Sequence, residues 1–296
     1  MGSTVRNALL SSILLLCFGG AAGAADPWQD LLKGLEQKDK RETESGQPQS
    51  SPGTGLDLGA VRDLIGFSQE EEVAIGRQVA GNVLGAAPLV DDARLQQYVN
   101  RVGRWIASQS ERPDLDWHFG VIESNDINAF AAPGGYVFVT KGLYKSLQSE
   151  SELAGVLAHE IGHVIKKHYL KILQQSRLVD IGGKLLTKQV GENEYIKSLI
   201  GNGAEIFARS LDKNAEFEAD RVAVILAARA GYDPFGLPTV LQDIARVAKD
   251  DSRIALLFKT HPHPDDRLAQ LGEAIGDRLD GLKGETLETR FYRIRP

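Results

Sequence analysis

Residues 149–170 read SESELAGVLAHEIGHVIKKHYL, and this stretch decides the fold of the chain. Ser149 and Glu152 have the spacing of a capping box, so we expect a helix that begins here and runs to about Leu170. Within it, His159 and His163 are four residues apart, a step that puts both imidazoles on one helical face. Two imidazole nitrogens can then converge on one tetrahedral metal ion.

Glu160 follows the first of these histidines directly. In this position its carboxylate can reach a water molecule at the open coordination position of the metal and take its proton. The alternative is a surface helix that carries two ordinary histidines. Several apolar residues beside the motif argue against that alternative because they would bury this face: Leu157, Ala158, Ile161 and Val164.

A hydrolytic metal site needs a third protein ligand, and residues 214–221, NAEFEADR, offer one. Glu216 and Asp220 lie four apart on one face of a predicted helix that begins here. With Glu216 on the metal, Asp220 is placed to accept a hydrogen bond from a ligand imidazole, most simply that of His159. Glu218 is expected to point elsewhere, toward solvent or a cation. Taken alone, the segment would indicate only an acidic, exposed helix face.

The composition is that of an ordinary globular chain, with 296 residues of which 42% are apolar and 25% charged. The 40 acidic residues outnumber the 34 basic ones, and the formal net charge is −6. Because the basic residues are scattered and form no patch, we expect no nucleic-acid partner. The only cysteine is Cys17, which excludes disulfides as a source of stability.

The first 25 residues have the layout of a bacterial signal peptide, with Arg6, an apolar stretch and then a run of small residues. The apolar stretch is shorter than the ~20 residues that a membrane-spanning helix needs. We therefore expect residues 1–25 to be removed and the mature chain to reach the periplasm without a transmembrane span. Cys17 follows Leu16, where lipoprotein sites favour Gly, Ala or Ser, which argues against a lipid anchor.

Residues 26–55 are predicted to be a disordered leader and linker, because residues 37–55 contain no large apolar side chain and are rich in Ser, Gly, Pro and charge. Trp28 and the leucines after it leave peripheral association with the outer membrane open. The folded domain is expected over residues 56–296. Its helical periodicities and the alternating segment over 116–140 predict an α+β, mostly helical domain with a small antiparallel sheet.

Two further blocks complete a pattern, residues 128–135, NAFAAPGG, and residues 260–267, THPHPDDR. With the two motifs above, they resemble a known family, the gluzincin-type zinc endopeptidases of the BepA, LoiP and HtpX types, related to the mitochondrial Oma protease and the CAAX prenyl protease. The four blocks stand in the family's order and span residues 67–271. The resemblance implies a gluzincin domain with one zinc ion per chain and the sheet at its cleft.

The resemblance also implies a role for each matched residue. The residues that match the zinc ligands are His159, His163 and Glu216. The catalytic base is matched by Glu160, and an acid that supports a ligand is matched by Asp220. His261 matches a histidine near the metal that either stabilises the oxyanion or occupies the open position of the zinc in a closed state. Arg267 matches a companion catalytic arginine at the cleft. His118 and His168 fit no block, and structural or surface roles are expected for them.

Asn128, Ala129 and Phe130 match the family's edge strand beside the cleft. An extended polypeptide can add to such an edge through main-chain hydrogen bonds, so the expected partners are unfolded or loosely folded chains. The alternative is an internal core strand. The adjoining Pro133-Gly134-Gly135 argues against it, because these residues interrupt sheet pairing.

Two features separate the chain from the proteins that it resembles. Only 29 residues follow Arg267, too few for the helical-repeat module of BepA-like proteins, and the membrane spans of the HtpX and prenyl-protease types are absent from the sequence. The expected function is hydrolysis of unfolded or misassembled envelope proteins in the periplasm. Two alternatives would use the same zinc ligands: a zinc-stabilised holdase, in which His261 closes the metal site, and a latent protease. Glu160 favours the enzyme, because a structural zinc site does not need it.

Overall fold

The computed structural model of the protein describes residues 66–175, 212–247, 251–255, 257–279 and 281–294. The predicted signal peptide, the leader and linker, and the expected start of the domain at residue 56 lie outside these ranges. Within them, no helix combines the length and the apolar character needed to cross a membrane.

In the sequence, helices come both before and after the three strands of a short sheet. Before and within the sheet, the elements are α1 (Gln69–Ala86), α2 (Ala93–Ala107), β1 (His118–Ile122), β2 (Ala129–Ala132) and β3 (Tyr136–Thr140). After it come α3 (Lys141–Ser146), α4 (Glu150–Ile165), a helical stretch over 168–175 that we label α5, α6 (Lys213–Arg229), α7 (Gly236–Arg246), a 3₁₀ turn (Ser252–Ile254), α8 (Leu257–Thr260), α9 (Pro264–Ile275) and α10 (Glu288–Tyr292). The predicted α+β, mostly helical class is confirmed.

Helix α4 lies at the centre of the domain, and all 16 of its residues are buried. It begins as expected, because the Ser149 hydroxyl accepts a hydrogen bond from the Glu152 amide at 3.1 Å. It ends at Ile165 and not near Leu170, because Lys167 takes a left-handed conformation with φ of 56°. A helix buried on every side needs partners on every side, and α4 packs against α2, α6, α7 and the sheet.

A close contact joins α4 to α6. Gly162 lies just before the second motif histidine, and a Cβ added there would be 3.2 Å from Ala219 Cα. Ala219 stands between Glu216 and Asp220 in the sequence. Small residues at both positions let the two helices approach closely. The histidines of α4 therefore face the carboxylates of α6 across a narrow gap.

The described residues form a mixed sheet with the strand order β1-β3-β2. The predicted antiparallel pairing holds for β2 and β3, which Gly134 and Gly135 connect with positive φ values of 78° and 98°. For β1 the prediction is corrected, because β1 pairs with β3 in parallel. Residues 123–128 connect β1 to β2, which runs in the opposite direction. The next strand, β3, then lies between β1 and β2.

Strand β2 lies at an edge of this sheet and contacts α4. In an antiparallel pair, alternate residues direct their main-chain groups toward the partner strand. The Thr140 amide donates to the Asn128 carbonyl at 3.0 Å, which sets this alternation. Ala129 and Ala131 therefore direct their main-chain N–H and C=O groups away from β3, where a further strand could pair.

Candidate metal centre

Four buried side chains converge between α4, α6 and the start of α9: His159, His163, Glu216 and His261. Their donor atoms all lie within 4.8 Å of one another. The Nε2 atoms of His159 and His163 are 3.0 Å apart. The carboxylate oxygens of Glu216 lie 3.5 Å from His159 Nε2 and 3.4 Å from His163 Nε2.

These separations fit a tetrahedral metal site. Metal–ligand bonds of about 2.0–2.2 Å at a tetrahedral angle place neighbouring donor atoms ~3.3 Å apart. Oε1 of Glu216 is buried and has no hydrogen-bond partner among the described residues, which suits an oxygen that a cation would satisfy. The residues present can therefore hold a divalent metal ion.

Asp220 and Arg267 support the outer nitrogen of His159. Asp220 Oδ1 lies 2.9 Å from His159 Nδ1, the contact that the helical spacing predicts. Arg267 donates two hydrogen bonds to the Asp220 carboxylate, from Nε at 2.9 Å and from Nη2 at 2.5 Å. Its Nη1 also lies 3.9 Å from Glu216 Oε2. Its Nη2 lies 3.2 Å from His159 Nδ1, so Arg267 reaches the donor cluster both directly and through two buried carboxylates.

Charge pairing outweighs burial at each of these groups. Burial raises the pKa of the Asp220 carboxyl, but the Arg267 guanidinium outweighs it and the pKa is lowered. Burial also raises the pKa of Glu216, but the His261 imidazole helps to hold that pKa well below its usual range. Burial and Arg267 lower the pKa of His159, yet hydrogen bonds to Asp220 and Glu216 outweigh both and raise it to about 9. The carboxylates of the cluster are therefore charged at neutral pH.

Glu160 is buried beside this cluster, and its Oε2 has no hydrogen-bond partner within the described part of the chain. It lines a cavity of about 40 Å³ together with His159, His261 and Ala129 of β2. Burial raises the pKa of Glu160 above its usual range, although the neighbouring imidazoles of His159 and His261 partly oppose this. A carboxyl with a raised pKa in a cavity beside a metal site is suited to proton transfer.

The connection between α8 and α9 brings His261 into the donor cluster. Its Nδ1 lies 2.7 Å from Glu216 Oε2, and its ring centroid is 5.5 Å from that of His159. His261 is therefore placed as a fourth donor. His263, two residues on, caps α9 instead, because its Nδ1 accepts a hydrogen bond from the Asp265 amide at 3.3 Å.

The three residues predicted to bind substrate lie on β2 and directly before it, in different surroundings. Ala129 lines the cavity beside Glu160. Asn128 is buried, and its main-chain amide donates to Thr140 Oγ1 at 3.0 Å. Phe130 packs on Phe138 with ring centroids 5.4 Å apart. The structure thus places Ala129 at the site, whereas Asn128 and Phe130 anchor the strand on β3.

Sequence reasoning missed the contacts of His168 and Glu218. His168 is buried, and its Nδ1 lies 2.9 Å from Nδ1 of His163. Its Nε2 lies 3.0 Å from Glu218 Oε2. The cation expected for Glu218 is present as well, because the Lys166 amine lies 3.8 Å from its carboxylate. On an unbroken helix, a residue five positions after His163 would lie on a different face. The left-handed Lys167 turns the chain so that the contact forms, and no spacing in the sequence announces that turn.

Arg267→Met is expected to lower the free energy of unfolding of the metal-free protein by about 3 kcal/mol at pH 7, because it leaves the buried Asp220 without the guanidinium and with the His159 imidazole as its remaining partner. The folded-state pKa of Asp220 lies below its unfolded value, so this stabilisation is present above about pH 4 and is lost as the pH falls through the folded-state pKa. Urea unfolding over this pH range measures the difference. Arg246→Met, which breaks an exposed pair with Asp243, is the control and should leave stability essentially unchanged. Equal stability of Arg267→Met and the wild type at pH 7 would show that the buried pair does not matter.

The fold and this donor set define a metallopeptidase domain. The sequence pattern of Peptidase family M48 matches residues 93–275, and the chain belongs to this family.

Three relatives illustrate the range of the similarity. The Beta-barrel assembly-enhancing protease of Yersinia pestis is 32% identical over 272 residues, which are 88% of this chain and 51% of that protein. The protein of the same name from Escherichia coli (strain K12) is 32% identical over 207 residues, 67% of this chain and 42% of the relative. The Mitochondrial metalloendopeptidase OMA1 of Arabidopsis thaliana is 27% identical over 187 residues, 63% of this chain and 37% of the relative. The chain thus spans about half or less of the length of these curated relatives.

Proposed function

We propose that the chain is a zinc-dependent metalloendopeptidase of the bacterial periplasm that hydrolyses peptide bonds of unfolded or misassembled envelope proteins. The observation that carries this proposal is the convergence of His159, His163 and Glu216 beside the buried carboxylate of Glu160. The names of the relatives, a protease that enhances β-barrel assembly and a mitochondrial metalloendopeptidase, support it.

Zinc is the metal that we assign to the site, with one ion per chain. Two imidazoles and one carboxylate are a donor set that zinc hydrolases use, and such enzymes keep one further position open for water or substrate. When bound, zinc would polarise the scissile carbonyl and make a water molecule more acidic.

The protein's own residues would carry the proton transfers. Glu160 takes the proton of the attacking water and passes it to the leaving amine, and its buried Oε2, which has no partner among the described residues, is available for both transfers. Asp220 keeps the His159 ring turned so that Nε2 faces the donor cluster, and Arg267 holds Asp220 in place. His261 is placed to donate to the negative charge that develops on the carbonyl oxygen.

The side of β2 that is turned away from β3 fits an extended substrate. Ala129 and Ala131 direct main-chain groups away from β3, and Ala129 lines the cavity beside Glu160. A polypeptide that pairs there would be recognised by its backbone more than by its side chains. Folded proteins shield their edge strands with charges, prolines, bulges or covering segments, so unfolded or loosely folded chains are the favoured substrates.

We propose a division of the chain into three segments. Residues 1–25 form the signal peptide, residues 26–55 a leader and linker, and residues 56–296 contain the metallopeptidase domain. The charged start, apolar stretch and small residues of the first segment support export to the periplasm. The acidic balance and scattered basic residues give no support to a nucleic-acid partner. Peripheral contact with the outer membrane, through Trp28 and its neighbours, belongs to the same proposal.

A latent form is the second candidate, and one contact favours it. His261 Nδ1 lies 2.7 Å from Glu216 Oε2, inside the donor cluster. A zinc ion with four protein donors is closed, as in structural zinc sites, and such a protein would bind unfolded chains without cleaving them. Hydrolysis then requires His261 to leave the donor cluster.

The preference for unfolded chains is testable with one substrate protein in two states. The zinc-loaded protein, residues 26–296, is expected to cleave a reduced and carboxymethylated protein about 100-fold or more faster than its native form, because native strands become accessible only through local opening that costs about 3 kcal/mol or more. Fragment formation over time measures both rates, and the Glu160→Gln protein controls for contaminating proteases. Equal cleavage of the two states would contradict recognition of an extended backbone.

A further inference from the structure

Two successive contacts link His163 to a carboxylate on the neighbouring helix. His163 Nδ1 lies 2.9 Å from His168 Nδ1, and His168 Nε2 lies 3.0 Å from Glu218 Oε2. The His168 side chain is 1% exposed, whereas that of Glu218 is 30% exposed and also lies 3.8 Å from the Lys166 amine. The contacts therefore run from the buried donor cluster to the protein surface.

The direction of these hydrogen bonds follows from their two ends. A carboxylate only accepts hydrogen bonds, so His168 Nε2 carries a hydrogen and donates it to Glu218. At the other end, His163 Nε2 faces His159 Nε2 and Glu216, and it must be unprotonated to bind a metal ion. The neutral His163 ring then carries its hydrogen on Nδ1 and donates it to His168 Nδ1.

We propose that His168 and Glu218 are positioning residues that fix the tautomer and the orientation of His163 for metal binding. This inference rests on the proposed metal-dependent function. Asp220 supports His159 in the same way but directly, at 2.9 Å. Both motif histidines are thus oriented by carboxylates of α6, one directly and one through an intervening histidine. Such outer contacts also raise the basicity of a ligand imidazole.

The local backbone makes the contact between the two histidines. Helix α4 ends at Ile165, and Lys167 adopts a φ of 56°, which residues other than glycine rarely do. The Lys167 amine lies 3.7 Å from the buried Glu72 carboxylate. After this turn α5 begins at His168, directly against His163. The break in the helix is therefore what returns His168 to the metal ligand.

We call the contacts from His163 through His168 to Glu218 the relay. The zinc affinity of the full chain, measured by competition with a chromophoric chelator, tests it. His168→Leu removes the acceptor with little change in volume and is expected to weaken zinc binding by about 10- to 100-fold. His168→Asn keeps an acceptor near the place of Nδ1 and is expected to retain most of the affinity. The absorption spectrum of the Co²⁺-substituted protein reports ligand geometry, and it should change in His168→Leu but not in His168→Asn.

His118→Leu is the matched control. Its Nε2 also contacts a carboxylate, Asp116 Oδ2 at 3.0 Å, but it lies on β1, so zinc affinity should not change. A folded His168→Leu protein with the affinity and the Co²⁺ spectrum of the wild type would overturn the relay.

The exposed end of the relay gives a second test. If His168→Leu does not fold, Glu218→Leu decides the question, because a loss of about tenfold in zinc affinity supports the relay and an unchanged affinity overturns it. A wild-type protein that binds no zinc would overturn the proposed function and the relay together. Zinc bound equally by the wild type and the variants would overturn the relay alone.

Discussion

Glu160→Gln is expected to lower the rate of peptide hydrolysis by about 10²- to 10⁴-fold, because an amide cannot accept the proton of the attacking water. Glu160 is not among the four converging donor groups, so the bound zinc should be retained. The measurement is kcat/KM for unfolded casein, with the zinc content determined in the same sample. The matched control is Glu123→Gln, which changes an exposed carboxylate paired with Lys141 and should retain activity.

The pH profile gives an independent view of the same residue. A base must be ionised to act, so kcat/KM should fall at acid pH as Glu160 becomes protonated. Burial raises the pKa of Glu160 in the metal-free protein, and a bound cation would oppose this shift. Undiminished hydrolysis by Glu160→Gln would exclude Glu160 as the base.

Glu216→Ala is expected to remove both zinc and activity. The residue supplies the one carboxylate of the converging donor set. Without it only neutral imidazoles remain, and His261 cannot both complete the site and leave the open position that hydrolysis needs. Added zinc should raise the melting temperature of the wild type, since a ligand that binds only the folded state stabilises it, and should leave that of Glu216→Ala nearly unchanged. Zinc content, hydrolysis of casein and thermal unfolding with and without zinc measure the effect.

The control for Glu216→Ala is Glu285→Ala, which changes an exposed glutamate. This variant should bind zinc and cleave casein as the wild type does. A Glu216→Ala protein that keeps a tightly bound zinc ion and cleaves casein would place the metal elsewhere. A variant that keeps the zinc but loses activity would instead assign Glu216 a role outside the metal shell.

Part of the donor cluster could be predicted, because helical spacing fixes which residues share a face. Residues four apart on one helix must share a face, so the side chains of His159 and His163 point the same way. The same rule applies to Glu216 and Asp220 on α6. The spacing does not say that these faces meet. The structure shows that they do, and that the small residues Gly162 and Ala219 let the two helices approach closely there.

The features that could not be predicted depend on the path of the chain between elements. Alternation identifies strands but not their direction, so the parallel pairing of β1 with β3 escaped prediction. The contact of His168 with His163 requires a left-handed lysine, which is uncommon for that residue type. The double hydrogen bond from Arg267 to Asp220 joins residues 47 positions apart, and only the packing of α9 against α6 brings them together.

The most direct test of metal-dependent proteolysis is a zinc titration of the metal-free wild-type protein, residues 26–296, with the rate of casein hydrolysis recorded at each addition. We expect hydrolysis to be absent without zinc, to rise in proportion to added zinc and to level off near about one ion per chain, as for a single three-ligand site. Across the same titration, Glu160→Gln should bind zinc but stay inactive. Hydrolysis that does not depend on zinc, or that Glu160→Gln shows equally, would contradict a metallopeptidase site at these residues.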